Sequence, residues 1–254
     1  MRYEVLGNLR VLDGGREVLI NAPKVQVLLA AFLSRPDEVL TTDQLITEVW
    51  RHHAPRRAEA SLYVHVSQLR KALDRPGAAN PIVTRPLGYL LDGASGERDA
   101  VDFRRLLDEG RQALRERRAT AAVPACEAAL ALWRGPALDD LPVGPLAGAW
   151  AGSLTESRVE CTELLMEAYF QLGRHRETVG QLYSLIAEHP LRESLYRYLM
   201  LALYLSERKA DALEVYRRAR RTLRDEAGVE PGRRLRAAHQ AILAGGAVAA
   251  RSGA

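Results

Sequence analysis

The chain has 254 residues, 47% hydrophobic and 27% charged, ordinary for a soluble globular protein with one large or two ordinary domains. No run approaches the roughly 20 apolar residues of a membrane span, and no apolar segment follows the N-terminus as in a signal peptide. The net charge is only +4, but residues 51–85 hold seven basic and two acidic side chains while residues 1–50 are net acidic.

The first 20 residues read as short strands, Tyr3-Val5-Leu6, Leu9–Val11 and Val18–Ile20, separated by the turn signals Gly7-Asn8 and Asp13-Gly14-Gly15. Pro23 opens a helix with Val25, Leu28, Leu29 and Phe32 at 3.6 spacing. Thr41-Thr42-Asp43-Gln44 has the spacing of a capping box, and Leu45, Ile46, Val49 and Trp50 follow on one face. A third helix starts after Pro55. Ile82-Val83-Thr84 and Tyr89-Leu90-Leu91 then form two strands joined by the Arg85–Gly88 turn. Strands, three helices and a hairpin, in that order, make a winged helix-turn-helix with an N-terminal sheet.

In the third helix, Leu62, Val66, Leu69 and Leu73 fall in one narrow stripe at about 100° per residue, as a core-packed helix requires. The opposite face gathers Arg57, Ser61, Val64, Ser67, Gln68 and Lys71, with Tyr63, His65 and Arg70 on the flanks. Taken alone, this is also the pattern of a solvated helix with a stray valine. An apolar side chain central to a basic face suits a thymine methyl in the major groove, however, and glutamine has the geometry to pair bidentately with adenine. The flanking side chains would meet phosphates, and Arg85 at the hairpin tip would enter the minor groove. The +5 segment around these residues suits a polyanion.

Asp92–Glu97 is small and polar, a linker by composition. Beyond it every pattern is helical, giving an α+β domain over 1–95, an all-α domain over 99–244 and a disordered tail over 245–254. Leu165-Met166-Glu167-Ala168-Tyr169-Phe170 aligns with Leu199-Met200-Leu201-Ala202-Leu203-Tyr204 at an offset of 34, the tetratricopeptide period. Arg174 then falls on Arg208, and Glu177 on Asp211. The basic run Arg217-Arg218-Ala219-Arg220-Arg221 with Arg224 reads as a solvated helix face, or as a surface for polymerase or the DNA backbone.

Two cysteines, Cys126 and Cys161, lie in apolar helical patterns and read as buried thiols of a reducing cytoplasm. His52, His53 and His65 have no cysteine or acidic ligand at metal-site spacing. Neither a phosphate-binding glycine loop nor a nucleophile turn occurs, so no enzyme, metal or cofactor is expected.

Val64–Leu73 with Thr84-Arg85-Pro86-Leu87-Gly88-Tyr89 resembles the OmpR-type winged helix. Asp102-Phe103, Ala129–Gly135 and Arg192-Glu193-Ser194-Leu195 with Ala210, Leu213 and Tyr216 resemble the bacterial transcriptional activation domain. Together, over about residues 3–244, the chain is similar to the small-type Streptomyces antibiotic regulatory proteins. The resemblance implies a cytoplasmic, nucleoid-associated activator of a secondary-metabolite gene cluster. It implies binding to promoter direct repeats as a dimer or tandem copies, and recruitment of RNA polymerase through its σ subunit. It also places Val64 and Gln68 on bases, His65 and Arg70 on phosphates, and Arg85 in the minor groove. The competing expectation is a helical-repeat interaction scaffold whose winged helix does not bind DNA.

Overall fold

The computed structural model describes residues 1–139 and 141–245, so the tail expected at 245–254 lies, Gly245 apart, outside the described residues. The chain forms two compact units, one of Met1–Leu106 with Ala128–Val159 and the other of Leu107–Glu127 with Glu160–Ala254.

The first unit opens with strands β1 (Arg2–Glu4), β2 (Arg10–Asp13) and β3 (Arg16–Glu17). Gly14 and Gly15 both have positive φ, +55° and +82°, the conformation that a two-residue hairpin turn needs. That turn pairs Asp13 with Arg16 and so sets β3 earlier than the Val18–Ile20 of the sequence reading. Helix α1 (Pro23–Ser34) starts on its proline and buries its central residues. After β4 (Leu40–Thr41), the capping box forms as expected: Thr41 Oγ1 accepts from Gln44 N, and Gln44 Oε1 accepts from Thr41 N. Helices α2 (Thr42–Trp50) and α3 (Ala58–Ala72) follow, then the hairpin β5 (Ile82–Arg85) and β6 (Gly88–Leu91). β4, β6 and β5 make one antiparallel sheet in that order.

The segment read as a linker contributes a strand. β7 (Glu97–Arg98) pairs parallel with β1, completing a second sheet of order β3-β2-β1-β7. Asp99 opens α4 (Asp99–Arg115) and is 2% exposed. Its carboxylate accepts from Val5 N at 2.9 and 3.0 Å and from Leu6 N at 3.0 Å. Burial pushes this carboxyl above its ordinary value of 3.8, outweighing the amides of Leu6 and Val5 and the Arg134 guanidinium 3.7 Å away. Arg134 N and Leu138 N also donate to Leu6 O and Val5 O. The compact unit therefore does not end at residue 95.

A second buried carboxylate does similar work. Glu48 of α2 is fully buried and accepts from Leu146 N and Ala147 N, at 2.9 and 3.0 Å. These amides belong to the first turn of α6 (Pro145–Gln171), where unpaired N–H groups favour an anion. A Cβ on Gly144 would lie 2.5 Å from Glu48 O, so glycine at that position permits the approach.

In the second unit α5 (Ala119–Ala131) and the later part of α6 are followed by α7 (Thr178–Glu188), α8 (Glu193–Leu205), α9 (Lys209–Ala227) and α10 (Arg233–Leu243). The 34-residue repeat maps onto α6–α7 and α8–α9. Gly173 and Glu207, 34 apart, both take left-handed φ, +70° and +64°. Arg174 N then donates to Tyr169 O and Arg208 N to Leu203 O, each at 2.9 Å. Arg174–Glu177 and Arg208–Asp211 form matching ion pairs. Ala168 and Ala202, at matched positions of the two repeats, are both fully buried.

Candidate nucleic-acid interface

Helix α3 is seated by the stripe expected for it: Leu62, Val66, Leu69 and Leu73 are each at most 1% exposed. Burial of such side chains stabilises by about 1.5–3 kcal/mol each, which fixes the rotation of the helix about its axis. The opposite face is thereby turned outward. Tyr63 and Val64 are 65% and 51% exposed, Ser67, Gln68 and Lys71 are exposed, and Ser61 is half-buried. Arg57 is exposed at the N-cap position. Val64, Ser67, Gln68 and Lys71 thus share one open face, as the helical spacing required.

His65 is placed by packing. Its ring lies 5.6 Å from that of Trp50, and its Nδ1 is 3.3 Å from Gln68 Oε1. Lys24 Nζ sits over the Trp50 ring at 5.0 Å. Lys24, Trp50, His53, Ser61, Val64 and His65 line a recess of about 430 Å³ beside the N-terminal half of α3. Lys24, in the first turn of α1, was absent from the sequence reading because its proximity to α3 depends on tertiary packing. Its being one of only three lysines among 36 basic residues was the available signal.

Arg70 is held against the hairpin. Its guanidinium donates to Ile82 O at 3.0 and 3.1 Å and to Thr84 Oγ1 at 2.7 Å, and lies 5.6 Å from the Tyr89 ring centroid. Asn80 adds a second link, donating to Arg70 O and accepting from Ile82 N. With Nε and Nη2 turned into the hairpin, Arg70 braces the angle between α3 and β5.

The hairpin tip is held as firmly. Arg85 pairs in register with Gly88 across Pro86-Leu87. A Cβ at Gly88 would stand 2.0 Å from Leu40 O, so only glycine allows β6 this close to β4. Thr42 N donates to Leu87 O at 3.3 Å. Arg85 projects exposed, its guanidinium donating to the neighbouring Thr84 O at 3.2 Å. Leu87, 73% exposed, is a tip side chain that sequence reasoning passed over.

The structure thus gathers an outward helix face, a braced hairpin and a surface with few acids. Among the described residues there is no group of three or more His, Cys, Asp or Glu suited to a metal ion, and no helix is long and apolar enough to cross a membrane.

Comparison with known proteins gives this architecture its class. Residues 15–91 match the family described as transcriptional regulatory protein, C terminal, and residues 98–243 match the bacterial transcriptional activator domain. The molecule is a transcriptional regulator with an OmpR-type DNA-binding domain, not an enzyme. The chain is 33% identical over 250 residues to the regulatory protein DnrI of Streptomyces peucetius, covering 96% of itself and 92% of DnrI. It is 32% identical over 248 residues to the transcriptional regulatory protein MoaR1 of Mycobacterium tuberculosis, covering 96% of itself and 79% of MoaR1. The structure of Mycobacterium tuberculosis EmbR in complex with a low-affinity phosphopeptide superposes with a TM-score of 0.91 at 34% identity. That match takes in 98% of this chain and 66% of the EmbR chain. The protein belongs to the Streptomyces antibiotic regulatory protein family, whose two domains it carries in order.

Proposed function

We propose that the protein activates a secondary-metabolite gene cluster by seating α3 in the major groove and the β5–β6 hairpin in the adjacent minor groove of its promoter. The observation that carries this reading is Val64: half exposed, at the centre of a polar helix face whose rotation is locked by four buried residues. In water that placement is unfavourable; against a thymine methyl it is not. Gln68 beside it reads adenine, Arg57, Ser61, Tyr63, His65, Ser67 and Lys71 meet bases or backbone around it, and Arg85 enters the minor groove. Lys24 joins the set as a phosphate contact beside His65.

Copies bind head to tail on direct repeats about one helical turn apart, roughly 10–11 bp, and so share one face of the duplex. Residues 1–95 carry recognition, completed by the β7–Asp99 segment. Residues 99–244 supply the surface for RNA polymerase and its σ subunit. The run Arg217–Arg224 is a poor candidate for that surface. Arg217, Arg220, Arg221 and Arg224 are each paired with Glu214, Glu230 or Asp225. The protein acts in the cytoplasm, at the nucleoid.

In vitro transcription from the promoters beside the encoding gene, with footprinting on the same templates, tests this. Activation coincident with protection of two or more direct repeats is expected. Protection of the repeats without activation would remove the activator role, and no protection would favour an interaction scaffold.

A further inference from the structure

The second unit contains a cavity of about 540 Å³ bounded by α6, α8 and the start of α10. That volume lies in the range of small-molecule sites, and is larger than a single amino acid needs. Its floor is apolar, with Leu164, Leu235 and the buried Tyr198. Its charged side chains differ in what balances them.

The acidic groups are Glu160, Glu163 and Glu167 on α6 and Glu193 at the start of α8. Glu160 is paired with Arg111 at 2.8 Å, and Glu193 accepts from Gly232 N at 2.6 Å. Glu163 accepts from the Ser194 hydroxyl; this donor and the Gly232 amide are both neutral, so among the described residues neither Glu163 nor Glu193 has a countercharge. The basic groups are Arg197 of α8 and Arg233 and Arg234 of α10. Arg197 lies over the Tyr198 ring, 4.4 Å from its centroid, and no described carboxylate is within ion-pair distance of any of the three. Arg233 and Arg234 are exposed at the first turn of a helix whose N-cap, Gly232, offers no side-chain acceptor. One cavity is thus lined by carboxylates of α6 and the start of α8 and by guanidinium groups of α8 and α10, together with the apolar Leu164 and Leu235.

From this we infer that the cavity is a binding site for a short peptide-like zwitterion. Its amino group pairs with Glu163, its carboxylate with Arg233 and Arg234, and its body lies on Leu164 and Leu235. A singly charged ligand would leave one wall unmatched. The inference concerns the helical unit only and does not depend on the DNA-binding reading.

The test is calorimetric titration of the full chain with three probes: trialanine, N-acetyl-trialanine and trialanine amide. Free trialanine should bind, and blocking either end should weaken it by about tenfold, the worth of one hydrogen bond to a charged group. In Glu163→Gln the acetylated and free peptides should bind alike, while the amide remains weaker. In the double variant Arg233→Ala, Arg234→Ala the pattern should reverse. Failure of trialanine to bind the wild type, or equal binding of all three peptides to it, would overturn the proposal, whatever the variants do. If the variants fold with unchanged thermal transitions and keep the wild-type pattern, the assignment of the walls is overturned.

Discussion

Replacing Asp99 by alanine should unfold the protein at markedly lower denaturant without touching any surface that faces DNA. Among the described residues the carboxylate is the hydrogen-bond acceptor for two backbone amides, Val5 N and Leu6 N, in residues that are 2% and 0% exposed. A buried donor left without an acceptor costs about 1–3 kcal/mol, so two cost about 2–6 kcal/mol. Removing a carboxylate that burial disfavours returns part of this, and a net loss of about 2–4 kcal/mol is expected, a large fraction of a typical 5–15 kcal/mol. Asp99→Asn keeps one oxygen and should lose about half as much. The pH dependence has a definite sign. Because burial raises this carboxyl above 3.8, the folded state holds the proton more tightly than the unfolded state does. The contribution of Asp99 to stability is therefore greatest below 3.8 and declines as pH rises through its folded value. The difference between wild type and Asp99→Asn should shrink over the same interval. Urea unfolding across that range measures both effects, and amide hydrogen exchange at Val5 and Leu6 locates them. An unchanged midpoint in Asp99→Ala, with exchange at Val5 and Leu6 still protected, would refute the reasoning.

Arg70→Met should weaken DNA binding through the hairpin, so that combining it with Arg85→Ala adds little; full additivity in a double-mutant cycle would return Arg70 to an independent phosphate contact. Gln68→Ala should relax preference at one base position by about 1–3 kcal/mol while other positions keep theirs, as a systematic set of single-base substitutions would read. Lys24→Ala should weaken all sequences about equally and flatten the salt slope by about one unit; an unaltered slope would take Lys24 out of the interface.

What the sequence made legible was what depends on neighbours along the chain. The stripe of Leu62, Val66, Leu69 and Leu73 repeats at the helical period, the Thr41–Gln44 capping box is local, and the 34-residue offset set Arg174 against Arg208 and Glu177 against Asp211, which form matching ion pairs. The face holding Val64 and Gln68 followed from the same angle. What escaped depends on distant partners. β4 and β7 are two residues each, too short for alternation to register, and exist because β6 and β1 offer open edges. Glu48 and Asp99 look like ordinary helix acids until Leu146, Ala147, Val5 and Leu6 are brought to them. Arg70 shares the basic character of its face, yet the nearness of Ile82 and Thr84 turns it inward. Only the early part of α6 gave no periodic signal, because Ala147, Gly148, Ala149 and Gly152 carry little side chain to mark a face.

The central claim is that α3 and the hairpin hold duplex DNA. It is met most directly by measuring the affinity of the full chain for its promoter fragment against salt, alongside Val64→Asp. Wild type should lose affinity steeply as salt rises, because neutralised phosphates release counterions, and Val64→Asp should abolish specific binding while leaving the thermal transition in place. A flat salt dependence, or a folded Val64→Asp protein that binds its site as wild type does, would contradict the account.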